Sequence, residues 1–72
     1  MKRMTKTEYR SKIEALGLSQ GAAASLMQIG KRTSRRYALG ESEIPDLIAR
    51  FLRLIKAQGL TPAQVIELTE EP

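Results

Sequence analysis

The chain has 72 residues, with 12 lysines and arginines against 8 acidic residues, a formal net charge of +4, and neither cysteine nor histidine. That length supports one domain with a small core. The missing residue types remove disulfides, thiol nucleophiles, thiolate metal sites, the usual general base and the commonest zinc ligand. No apolar run approaches the length of a membrane span, and no signal-peptide core follows the basic residues Lys2, Arg3 and Lys6, so a cytoplasmic protein is expected.

Boundary residues divide the chain into five helical stretches. Thr5, with Glu8 three residues on, reads as a capping box, and Met4 and Tyr9 occupy the flanking staple positions. Tyr9, Ile13 and Leu16 then recur at helical spacing until Gly17, placed to close the helix in a left-handed conformation. Ser19 is the expected N-cap of a second helix from Gln20 to about Met27, so rich in alanine that it must pack closely on its neighbours. Gly30 marks the next break, and Lys31 to Leu39 reads as a third helix closed by Gly40.

A fourth helix is expected to start near Pro45, because proline suits a first turn and almost no later position. Leu47, Ile48, Phe51, Leu52, Leu54 and Ile55 form its apolar face, and Asp46, Arg50, Arg53 and Lys56 its polar one. After Gly59 a fifth helix follows, with Leu60 and Val65 as staple, Thr61 as N-cap, Pro62 in the first turn and Gln64 completing a capping box. It is expected to run to about Leu68, leaving an acidic, fraying end over 69–72. No segment alternates with the period of a strand. The expectation is a single all-α domain over 1–72.

Charge is unevenly distributed. Residues 1–29 hold five cations and two acids, and residues 30–40 hold Lys31, Arg32, Arg35 and Arg36 with no acid. Residues 41–72 hold three cations and six acids, so a polyanion is drawn to the first half and repelled by the tail. At about 100° per residue the four cations of the third helix fall in one arc, opposite Ser34, Tyr37 and Ala38. About three residues of turn join the second and third helices, which forces a steep crossing and exposes one face of the third. Such a face fits a DNA major groove, where arginine pairs with a guanine edge and further cations neutralise phosphates. Leu39 falls inside the same arc, which implies that the helix unwinds there or that the leucine folds back on the fourth helix.

The stretch 19–40, SQGAAASLMQIGKRTSRRYALG, resembles the helix-turn-helix of the Cro and phage-lambda-repressor-like family. The matching positions are Gln20 opening the first motif helix, Ala24 at the helix contact, Ile29 in the turn, Tyr37 as anchor and Gly40 after the second helix. The proline-initiated continuation extends the resemblance over roughly residues 5–58. It implies a five-helix lambda-repressor-like domain that binds double-stranded DNA in a sequence-specific way, as a transcriptional regulator or phage-type repressor. By that resemblance Lys31, Arg32, Arg35 and Arg36 read bases, Gln20 contacts backbone or base, and Thr33 binds a phosphate.

Three positions depart from the pattern. Gln28 stands where a turn glycine is expected and must take a left-handed conformation. Gly30 replaces a serine or threonine cap, and Ser34 replaces a mid-helix aliphatic residue, so local weakening of the third helix is expected. Lys2, Arg3 and Lys6 are read as a solvated arm over about residues 1–4 and just beyond, or as a strand of contacts along the DNA backbone.

A second reading is a protein-interaction module, such as an antitoxin or adaptor, presenting Val65, Ile66 and Leu68 on the fifth helix. Monomer and homodimer are both open, with that helix the element free to make the dimer contact. No nucleophile–base pair or metal-ligand spacing suggests an enzyme, and no cofactor or small-molecule ligand is implied. RNA binding is disfavoured by the scarcity of aromatic residues and the lack of a strand platform.

Overall fold

A computed structural model describes residues 3–70 of the chain. Among these residues the structure is all-helical: α1 (Lys6–Ala15), α2 (Gln20–Met27), α3 (Lys31–Leu39), α4 (Asp46–Gln58) and α5 (Pro62–Thr69).

Each helix starts and stops for a local reason. The Thr5 side chain accepts from the Glu8 amide at 3.1 Å, and Met4 and Tyr9 are both buried, as the staple requires. Glu8 turns its carboxylate across to α4, where both oxygens accept from the Arg53 guanidinium at 2.9 Å. Ser19 caps α2 through the Ala22 amide. Thr61 and Gln64 form the full reciprocal box at the start of α5, with Pro62 in its first turn. Pro45 lies one position outside α4, in extended conformation, and supplies no side-chain cap.

The core joins α1, α2, α3 and α4. Tyr9 and Ile13 of α1 meet Ala23 of α2, Tyr37 and Ala38 of α3, Ile44 of the following loop, and Ala49 and Leu52 of α4. Met4 closes it from the N-terminal side. The Tyr9 and Tyr37 rings meet edge to face, with centroids 5.7 Å apart, an arrangement that adds to the area they bury. The fully buried residues of α2 are alanines, Ala23 and Ala24, with Met27 packed half-buried against the core at the helix end. Small side chains let its backbone approach α3 closely.

Three expectations change. Leu47 and Leu54 were expected in the apolar face of α4, yet they are 76 % and 58 % exposed. The buried arc of that helix is Ala49, Leu52 and Ile55, with Ile48 and Phe51 packed half-buried at its edge. On α5, Val65 is buried, whereas Ile66 and Leu68 are exposed, so Val65 leaves the surface suggested for that helix. The N-terminal arm is also shorter than expected. Met4 is core, Arg3 pairs with Glu43 at 2.8 Å, and the Lys6 stem lies against Gly40. Lys2 and the final acidic residue Glu71 lie outside the described residues.

Candidate nucleic-acid interface

The turn between α2 and α3 consists of Gln28, Ile29 and Gly30. Gln28 takes the left-handed conformation its position demands, with φ 55° and ψ 42°. The amides of Gln28 and Ile29 both return to the Ala24 carbonyl, Ile29 at 2.9 Å, which satisfies the exposed end of α2 while reversing the chain. Gly30 then caps α3 in extended conformation without a side-chain hydrogen bond. At the far end Gly40 is left-handed with φ 78°, and the Glu41 amide returns to the Arg36 carbonyl at 2.9 Å.

α3 spans its full expected length. Ser34, Tyr37 and Ala38 are buried, and Lys31, Arg32, Arg35 and Arg36 are exposed on the other side. The orientation is held from α1: Arg10 Nε donates to the Ala38 carbonyl at 2.6 Å. That carbonyl belongs to the last turn, where intrahelical partners run out and a cation is favoured. Among the described residues no salt bridge reaches the four α3 cations; ion pairs elsewhere include Arg3 with Glu43 and Arg53 with Glu8.

The cations divide into two groups. Arg32, Arg35 and Arg36 border one open hollow of about 530 Å³, together with Leu39 and Glu41. Lys31 leans the other way, over the start of α2. A methyl group placed on Gly21 would lie 3.1 Å from its Cε and 3.7 Å from its Nζ. This brings the ammonium beside Gly21 in the first turn of α2. Thr33 is half-buried close to the Gly30 backbone and joins neither group.

Leu39 remains helical and is 45 % exposed within the arginine hollow. It neither unwinds the helix nor folds back on α4. Ser34 also differs from expectation. Far from being a weak point, it is fully buried and hydrogen-bonded twice: to the Tyr9 hydroxyl at 2.7 Å and to Gln20 Oε1 at 2.9 Å. Gln20 is thus tied through Ser34 to the core. The place of Ser34 on an otherwise apolar face, one turn before Tyr37, marks it for burial, but nothing in the sequence names its partners.

Elsewhere, Leu26, Met27, Leu47, Ile48, Phe51 and Thr69 line an apolar groove of about 380 Å³ between the end of α2, α4 and α5. No metal-ligating cluster is found among the described residues, and no helix there is long and apolar enough to cross a membrane. No protein-family model, curated protein or solved structure matches this chain.

Proposed function

We propose that this chain is a sequence-specific binder of double-stranded DNA, with α2 and α3 as a helix-turn-helix and α3 as the helix that enters the major groove. The observation that carries this reading is the sidedness of α3. Lys31, Arg32, Arg35 and Arg36 are all exposed, without a salt-bridge partner among the described residues, while the opposite side is anchored in the core. Charges that serve the fold itself acquire partners, as Arg53 does from Glu8. Charges held out by a rigid helix, with nothing opposite them, suit an external polyanion.

The parts divide the work. Arg32 and Arg35 meet base edges, where a guanidinium offers two parallel donors to guanine O6 and N7. Arg36, at the edge of the arc, and Lys31, beside the start of α2, meet phosphates and set the register. Leu39 adds an apolar surface within the arginine group, of the kind that meets a thymine methyl. A cytoplasmic transcriptional regulator or phage-type repressor is the role that fits such an interface.

Replacing Arg35 with alanine is expected to cost about 1–3 kcal/mol of binding to a preferred duplex and to relax specificity at one base pair. Replacing Lys31 is expected to weaken binding uniformly across sequences and to lower the salt slope by about one unit. Equilibrium titrations of each variant against preferred and scrambled duplexes check both. Equal losses on all sequences from the Arg35 variant would remove its assignment as a base reader.

A second reading rests on the apolar groove beside Leu47 and the exposed Leu54, Ile66 and Leu68: a protein-interaction module or a homodimer contact. Retention of a partner protein by a chain with no DNA affinity would favour it.

A further inference from the structure

The contact of Gln20 with Ser34 has a polarity, and that polarity determines what Gln20 presents to solvent. The Tyr9 hydroxyl is fully buried, and the partner it has is Ser34 Oγ at 2.7 Å. A buried hydroxyl hydrogen without an acceptor is costly, and no buried side-chain polar atom among the described residues lacks a partner. Tyr9 therefore donates to Ser34. Ser34 has a single hydrogen of its own, and it goes to Gln20 at 2.9 Å. Only the carbonyl oxygen of a carboxamide accepts a hydrogen. Oε1 of Gln20 must face inward, since the opposite amide orientation would set a second donor against Ser34 Oγ and leave the Ser34 hydrogen without its acceptor.

Resting on the DNA-binding reading above, we propose that Tyr9 and Ser34 are positioning residues that orient the Gln20 carboxamide, so that it meets DNA as a hydrogen-bond donor. The outward group is Nε2, which carries two donors and no acceptor. The two-point contact of glutamine with adenine needs an acceptor and a donor together on the reading edge. Here Oε1 is turned toward Ser34 and one of its two lone pairs is taken, which leaves Nε2 as the group better placed to reach the duplex. Gln20 therefore takes an acceptor oxygen on the duplex, and the phosphate backbone offers one at every nucleotide. Lys31, whose ammonium also lies beside the start of α2, favours the phosphate over a base acceptor.

Two measurements test this. In the free chain, NMR relaxation of the Gln20 side-chain amide is expected to show an ordered group that becomes mobile in Ser34→Ala. Because that variant leaves the Tyr9 hydroxyl without a partner, Tyr9→Phe/Ser34→Ala is the companion: it removes both hydroxyls and leaves no orphan donor. Ser34→Thr, which keeps a hydroxyl, is expected to restore the order. A wild-type amide as mobile as in these variants would overturn the positioning role.

In DNA titrations, Gln20→Ala and Tyr9→Phe/Ser34→Ala are each expected to lose affinity about threefold to tenfold on every sequence, with no further loss when combined. Additive losses would overturn the proposal. A loss confined to duplexes with one particular base would also overturn it, since Gln20 would then be reading a base. If the wild-type chain binds no duplex at all, the DNA-binding reading fails and the donor role at DNA fails with it. The oriented carboxamide then stands or falls on the relaxation data alone.

Discussion

Tyr9 stands where packing, polarity and titration meet. Its ring is fully buried against Tyr37 and its hydroxyl holds Ser34. Burial raises the phenol's pKa above its ordinary value; the Ser34 hydrogen bond pulls it partly back, and the neighbouring Tyr37 pushes it up again. A raised pKa means that the fold favours the neutral phenol. The associated stability is complete below the unfolded value near pH 10 and is lost as pH rises through the higher folded value. The chain has no histidine or cysteine, so no side chain with an ordinary pKa titrates between about pH 6 and 8. Thermal melts are therefore expected to be flat through neutrality and to fall above about pH 10, with a smaller alkaline fall in Tyr9→Phe. An unchanged alkaline profile in that variant would mean that another group controls it.

Gln28 is the other residue whose environment overrides its type. A left-handed conformation costs a residue with a Cβ about 1 kcal/mol, a cost glycine does not carry. Gln28→Gly is expected to raise stability by up to about 1 kcal/mol, a shift of roughly 4–8 °C in melting temperature for a domain of this size. A lower melting temperature would show that the Gln28 side chain contributes contacts worth more than the backbone strain.

At the scale of elements, the helices were legible because their ends are chemically marked. Thr5, Ser19 and Thr61 cap as their positions predict, and the glycines at 17, 40 and 59 are all left-handed. The sidedness of α3 was equally legible, since the α-helical period puts its cations and its anchors on opposite arcs. The apolar width of α4 was not. Its sequence carries an apolar stripe wider than its neighbours cover, and hydrophobic periodicity cannot say how much of a stripe is occupied. Leu52, facing the core, and Leu47, one and a half turns away at its edge, look alike in sequence. Leu52→Ala is expected to cost about 2–5 kcal/mol, enough to unfold much of so small a domain, whereas Leu47→Ala should change stability by less than about 0.5 kcal/mol. Denaturant melts distinguish them, and similar losses at both sites would contradict the burial pattern. The link from Gln20 through Ser34 to Tyr9 was also hidden. It joins residues 14 and 25 positions apart, and a lone serine gives no sign of whether water or a buried hydroxyl will partner it.

For the molecule as a whole, the charge asymmetry of the sequence becomes an arrangement of surfaces. The basic centre of the chain forms one exposed helical face, anchored from behind by Tyr37, Ala38 and the Arg10 bond to the Ala38 carbonyl. Six acids follow it in residues 41–72, with Glu8 and Arg53 joining α1 to α4. The apolar groove opens between α2, α4 and α5, lined by residues distinct from those bordering the arginine hollow. DNA contact and protein contact therefore need not compete for the same residues.

The central claim, that α3 is a DNA-reading helix, is tested most directly by titrating the chain at several salt concentrations against a duplex selected from a random pool. Affinity is expected to fall with salt, with a log–log slope of about −0.9 for each phosphate neutralised, and to exceed that for scrambled duplex by a margin that shrinks in Arg35→Ala. Undetectable binding, or binding indifferent to salt and unchanged in the variant, would contradict it.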